Sequence, residues 1–256
     1  MSAPAAGVRR VPRGVPATYL ALEVRRTFRD RRSYLLTLVL PPAVLVIVGA
    51  GSAEHRADLV APGINSTAWL VVSVALYGAV LATATGGASV ATERAQGWTR
   101  QLRLTPLRSG SYAVTKVLAS MTLGGLSMAV TFAVGAAQGA QMPPVAWVAC
   151  ALIGWLVSAP FAALGLFVGY LLPVEAVTRV LSMVITVLAL AGGLFVPLGG
   201  VLGEAGRFVP TWGAAELARA PLGAGFDASA VVNVVAWTLL FVAGAAWRFR
   251  RDTARV

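Results

Sequence analysis

Charge is what this chain is shortest of. Charged residues fill 12% of its 256 positions, about half of the roughly 25% usual in soluble domains. It has ten acids, one histidine, one lysine and one cysteine. Each shortage excludes something. Disorder requires high charge with low hydropathy, yet 57% of these residues are hydrophobic and the mean hydropathy is +0.76. A lone cysteine, Cys150, lies in an apolar run; it forbids an intramolecular disulfide and reads as a small buried residue. The lone histidine, His55, has Glu54 and Asp58 nearby but no second His or Cys, so the trio reads as a solvated loop, and no metal is expected. No G-x-x-x-x-G-K-[ST] phosphate cradle occurs, since Lys116 follows Thr115 without the glycines. An intramembrane hydrolase would need a base beside its nucleophile. None is apparent, so no catalytic residue and no enzymatic activity are expected, and energy for uphill transport must come from another subunit.

What the chain has instead is long apolar runs. A bilayer-spanning helix needs about 20 mainly apolar residues. Six stretches free of Asp, Glu, Lys and Arg qualify: 34–51, 69–90, 117–137, 145–172, 180–196 and 228–247. The first begins only after 33 residues and shows no small-residue cleavage site, unlike a secretory signal peptide. The implied fold class is an all-α membrane protein with six transmembrane helices. No ionisable group falls inside the six apolar cores, whereas ion-coupled carriers usually place one near the midplane. That absence points to an apolar or amphiphilic cargo if the chain is a transporter.

The basic residues orient the spans. Eighteen of the 21 fall on the side of the two termini and three, Arg56, Arg207 and Arg219, on the other, which gives net charges of +13 and −2. By the positive-inside rule both termini are cytoplasmic. Topology thus accounts for the isoelectric point near 11.3, and the arginines would meet anionic lipid, at about 1 kcal/mol each near the surface. A nucleic-acid partner is not expected, because the basic residues form no single patch on a soluble fold.

Residues 1–17, with Pro4, Pro12 and Pro16, read as a disordered tail, and 252–256 as a short C-terminal tail. Residues 18–32 read as an interfacial amphipathic helix: Leu20, Val24 and Phe28 recur every four residues beside Tyr19, with Arg25, Arg26, Arg29 and Arg32 mostly off that stripe. Pro41, Pro42 and Pro160 should kink their spans or open a turn there, with neighbouring helices satisfying the freed carbonyls. Gly135 with Gly139, and Gly165 with Gly169, read as close helix packing.

One loop stands out. Residues 93–105 read as a short helix after Thr92, a candidate cap with an acid in the first turn, stopped by Pro106. Trp98 and Leu102, four apart, face one way. An exposed Trp on a basic helix suits a partner's groove, and equally suits an anchor in the membrane interface. Glu93-x-x-x-Gly97-x-x-x-Gln101-Leu102-x-x-Thr105-Pro106-Leu107 resembles the cytoplasmic signature of ABC-2 type permeases, the membrane subunits of ATP-driven exporters such as the daunorubicin-resistance and multidrug systems. An interfacial helix, a proline-bearing first span, six spans and inside termini fit that family. So do Phe195-Val196-Pro197, Phe208-Val209-Pro210 and Glu216-Leu217-Ala218-Arg219, which resemble its external re-entrant hairpin, here 197–221. The likeness covers 18–251. Trp98 departs from the small or β-branched residue many members carry.

The resemblance implies a type V exporter-like fold. It implies a coupling helix, 93–105, docking on a separate ATP-binding subunit present in two copies. Glu93 would start that helix and cap backbone amides, and Gly97 would permit close packing. Trp98, Gln101 and Leu102 would line the partner's groove, and Thr105 and Pro106 would turn the chain back. ATP and Mg would sit on the partner, with no cofactor on this chain. It further implies a second permease subunit, most simply a homodimer, in the plasma membrane lipid. Spans two and five would line the substrate path with Tyr77, Thr83, Thr85, Ser89, Ser182, Met183, Thr186 and Phe195. A glycan exporter of the same superfamily is the nearest alternative, although 8% aromatics are few for a sugar-lined path. A signalling or scaffold subunit that transports nothing is the other.

Overall fold

The computed structural model describes residues 17–27, 29, 31–50, 59–97, 109–196, 198–223 and 225–254. In chain order the helices are α1 (Ala17–Thr27), α2 (Arg31–Ala50), α3 (Ser66–Ala88), α4 (Val90–Ala95), α5 (Ser109–Ala137), α6 (Pro144–Val157) and α7 (Ala159–Leu171). They continue as α8 (Val174–Ala191), α9 (Gly200–Gly206), α10 (Pro210–Arg219) and α11 (Ala228–Ala254). The all-α expectation needs one small correction: Leu59–Ala61 and Ile64–Asn65 pair as an antiparallel ribbon just before α3. By length and composition, five helical stretches among the described residues can cross a membrane: Ser66–Ala95, Gly110–Ala137, Pro144–Leu171, Val174–Ala191 and Ala228–Arg251. α2 adds the shorter apolar stretch Thr37–Val48.

The helices outrun the charge-free windows. α5 begins at Ser109 and carries Lys116 inside it, α8 begins at Val174 and carries Arg179, and α11 runs through the supposed tail as far as Ala254. A charged side chain ends an apolar window without ending a helix. Backbone hydrogen bonding continues wherever the charge can reach water or a partner. Span five is shifted at its other end too. α8 stops at Ala191 in a turn whose Gly193 has φ +68, so residues 192–196 are not helical.

α3 is the hub. In Ser66–Ala95, 89% of the apolar window is buried, against 11% in Ala228–Arg251. Its small residues let neighbours reach the backbone. A methyl added at Gly165 on α7 would lie 1.9 Å from the Ala84 carbonyl oxygen, and one at Gly87 on α3 would lie 2.2 Å from the Ala162 carbonyl oxygen. The packing role expected of Gly165 and Gly169 is therefore observed. Pro41 on α2 seats against Gly78 of α3. Proline has no N–H to bond the carbonyl four residues back. That carbonyl, of Thr37, instead accepts the Ser127 hydroxyl of α5 at 2.9 Å. α2 continues as helix through both prolines, whereas the helix before Pro160 is interrupted at Ser158.

At the α3 N-terminus, Asn65 Oδ1 accepts from the Ala68 and Gln141 amides and Nδ2 donates to Gly139 O. This ties the ribbon to the α5–α6 turn. The same end carries the α9–α10 helical hairpin. α11 holds its turn: Asn233 Nδ2 donates to Arg207 O at 2.8 Å and Trp237 Nε1 to Phe208 O at 2.9 Å. Asp227 caps α11 through the Ser229 hydroxyl and amide, bonds that hold its carboxyl below the usual carboxylate range. The bundle thus has a hairpin end and, opposite, an α4 end.

Candidate functional site

The α4 end is built around an ion cluster. Lys116 of α5 donates to both Glu23 of α1 and Glu93 of α4. Arg26 of α1 donates to Glu93 Oε1 at 2.9 Å, and the Tyr112 hydroxyl donates to Glu93 Oε2. Glu93, Lys116 and Glu23 are buried, with relative exposures of 1%, 3% and 5%. The sequence dictates this geometry locally. Tyr112 and Lys116 are four apart on α5, and so are Tyr19 and Glu23 on α1; residues four apart share a helix face. Burial first, then the Glu23 and Glu93 carboxylates, push the Tyr19 phenol above its ordinary range, so it remains a neutral group beside the cluster.

Several expectations change here. Glu93 caps no amides: α4 starts at Val90 after Ser89, and the Glu93 carboxylate turns inward to the cluster. Thr92 lies inside α4 and caps nothing. The helix carrying Glu93 is not 93–105 in one piece, because α4 ends at Ala95 and a turn follows at Gln96 and Gly97. Gly97 has a φ of +70, and a left-handed residue just past a helix end is most cheaply a glycine; among the described residues a methyl there would meet nothing within 4 Å, so the side facing a partner is open. Trp98, Gln101, Leu102, Thr105 and Pro106 lie outside the described residues, as do His55, Glu54 and Asp58. The face α1 turns to the bundle centres on Glu23, with Leu20 and Val24 half-buried beside it. The charge-free interior also fails as a premise, since Lys116 and Arg219 are both buried.

Of the eight path residues, five line one groove between α2, α3 and α8, of about 440 Å³: Tyr77, Thr85, Ser182, Met183 and Thr186. Tyr77 hydrogen-bonds Thr186 across it at 2.9 Å. Phe195 packs edge-on against Tyr77, ring centroids 5.2 Å apart, at the hairpin end. Ser89 lines a separate cavity of about 280 Å³ at the α4 end, and Thr85 lines both spaces. Thr83 is misplaced by the sequence reading. It is fully buried and turns away from the groove, its hydroxyl directed to the Ala79 and Ser158 carbonyls.

Sequence reasoning missed Arg219, which was counted as an outer loop charge. Its guanidinium is buried under the hairpin, 3.9 Å from the Trp69 ring. It donates to Ser73 Oγ at 2.9 Å and to the Leu194 carbonyl just after α8. The signal available was Ser73 with Trp69, a hydroxyl one turn from an aromatic on α3. Glu216, three residues earlier on α10, is the acid whose charge favours the protonated guanidinium. Among the described residues no group of three or more His, Cys, Asp and Glu could hold a metal.

The sequence profile described as ABC-2 type transporter matches residues 18–205. The chain belongs to the ABC-2 type transporter family. A curated protein of Bacillus subtilis (strain 168), named "Putative transport permease YvfS", is 26% identical over 234 residues, covering 86% of this chain and 91% of that one. ABC-2 permeases generally work with an ATP-binding subunit. This chain is accordingly a transporter membrane subunit of that family, in a multi-pass membrane protein.

Proposed function

We propose that this ABC-2 chain is the permease of an ATP-driven exporter, six spans with both termini cytoplasmic in the plasma membrane, working as a homodimer with two separate ATP-binding subunits. The family match over 18–205 carries the reading. The α4 end is then cytoplasmic, and Glu93 is its joint. The segment that would dock on the ATPase follows α4 directly, and Glu93 joins α4 to α1 and α5 through Lys116 and Arg26. Movement imposed beyond Gly97 would therefore displace an interfacial helix and a spanning helix together. Moving a two-state path from 1:99 to 99:1 takes about 5.5 kcal/mol of differential binding, which the ATPase would supply and the cluster, whose pairs cost about 3–5 kcal/mol to break from one side, would pass on.

The groove between α2, α3 and α8 is the proposed path, and it suits an amphiphile. Tyr77 and Thr85 of α3 and Ser182 and Thr186 of α8 bring hydroxyls to it, while Leu40, Leu81, Met183 and Val187 are apolar. Among the described residues Tyr77 is the one aromatic that lines it, which favours this cargo over a glycan polymer. ATP and Mg belong to the partner in this reading.

Two experiments test it. The purified chain should show no ATP hydrolysis, and adding its cognate ATP-binding subunit should produce hydrolysis that rises further with cargo. Turnover by the chain alone, or a partner whose activity ignores it, would refute the assignment. For orientation, Gly110→Cys should react with a membrane-impermeant maleimide only in inside-out vesicles, and Pro62→Cys only in right-side-out cells. Both positions are exposed, and the native Cys150 is buried and silent. The opposite pattern would invert the topology.

A further inference from the structure

The cavity at the α4 end is lined by Glu23, Glu93, Lys116, Arg26 and five hydroxyl residues, and three of those hydroxyls already have their hydrogens committed. Thr27 donates its hydroxyl hydrogen to Glu23 O at 2.9 Å, Thr85 to Leu81 O at 2.7 Å and Ser89 to Gly86 O at 2.7 Å. A hydroxyl has one hydrogen and two lone pairs, so these three oxygens can only accept further bonds. Both Glu93 oxygens are engaged, with Lys116 and Arg26 on one and Tyr112 on the other. Glu23 is only half engaged. Lys116 occupies its Oε1, and among the described residues nothing donates to its Oε2, although the side chain is nine-tenths buried and lines the cavity. The two cations on this wall are already directed at carboxylates. The four charges of the cluster sum to zero, so an arriving cation meets a neutral cluster with one unused carboxylate oxygen.

We propose that this cavity, between α1, α3, α5 and α8, binds the protonated primary amine or guanidinium of an amphiphilic ligand, with its tail running into the groove. Glu23 Oε2 takes the charge-assisted bond, and the Thr27, Thr85 and Ser89 oxygens accept the remaining N–H groups. An alkylammonium has three donors and no acceptor, which matches Glu23 Oε2 and the three hydroxyl oxygens whose hydrogens are committed. Thr85 and Thr178 line both spaces, so head and tail sites adjoin. The inference rests on the transporter reading above and narrows its cargo to cationic amphiphiles.

The test uses the full chain in nanodiscs of neutral phosphatidylcholine, without an ATPase. Binding of hexylamine is followed by saturation-transfer NMR, with hexanol, hexanoate and hexyltrimethylammonium as comparison probes. Hexylamine should bind saturably and about tenfold or more tighter than the other three, the scale of one hydrogen bond to a charged group. Glu23→Gln should weaken it about tenfold, and Thr85→Val about threefold, with Thr83→Val unchanged. Equal binding of hexanol or hexanoate, or indifference to both Glu23→Gln and Thr85→Val, overturns the proposal. If Glu23→Gln fails to fold, Thr85→Val, outside the ion cluster, decides alone. Absence of amine binding in a chain that still stimulates its ATPase removes the site and leaves the exporter reading intact. Loss of ATPase stimulation with Glu23-dependent amine binding does the reverse.

Discussion

Lys116→Met should be among the most damaging single substitutions in the chain. Among the described residues the ammonium is the only group that bonds both Glu23 and Glu93. Without it, two buried carboxylates share one remaining cation, Arg26, whose side chain is 41% exposed. Breaking a buried ion pair from one side costs about 3–5 kcal/mol, because the partner is left charged and dry. For a chain of this size, that is a fall of roughly 10 °C in the thermal midpoint of the detergent-solubilised protein. Stimulation of the cognate ATPase should vanish with it.

The triple variant Glu23→Leu, Glu93→Leu, Lys116→Met separates stability from transmission. Replacing a whole buried ion cluster by apolar residues is often neutral or stabilising, so its midpoint should return close to the parent's. If the cluster transmits motion from the ATPase loop to α1 and α5, stimulated hydrolysis and transport stay lost in this well-folded protein. Recovery of transport along with stability would reduce the cluster to a structural plug.

Much of the architecture was legible, and the reasons differ by element. The apolar runs located every long helix because lipid or a tight bundle demands them. The satisfied Thr37 carbonyl follows from Pro41 once a neighbour with a hydroxyl is near, and the Gly165 crossing from spacing alone. The cluster was half legible. Glu93 stood out through its motif, but as an amide cap on a surface helix. Glu23 was not singled out, and Lys116 entered as one of the basic residues on the side of the termini. Their pairing spans 93 residues, and no periodicity in a single sequence reports which distant helices meet. The rule that separated spans from loops by charge also hid it, since a lysine that ends an apolar window was assigned to water. Arg219 was lost in the same way. Thr83 was misassigned because a hydroxyl on α3 can face the groove or α7, and residue type does not say which.

That dependence on close helix contact leads to the second large effect. Gly165→Ala adds one methyl group, and no flexible side chain is available to move aside: its nearest neighbours would be the oxygen, carbonyl carbon and Cα of Ala84, at 1.9, 2.8 and 3.0 Å. α7 and α3 must part. Overpacking of this kind costs about 1–3 kcal/mol, and more where backbone must shift; here the hub helix itself is displaced, so about 3 kcal/mol is expected in an equilibrium unfolding measurement. Gly110→Ala is the control. A methyl there meets nothing within 4 Å, and alanine is the better helix former by roughly 0.5–1 kcal/mol, so that variant should be neutral or slightly more stable. Gly87→Ala strains the same crossing from the other side, against the Ala162 carbonyl. Once the helices have separated for one methyl, the second finds room. The double variant Gly87→Ala, Gly165→Ala should therefore lose clearly less stability than the two single losses added together, as neighbours sharing one backbone shift do. Strict additivity would mean that each methyl is accommodated locally and that α3 and α7 do not move apart as a unit.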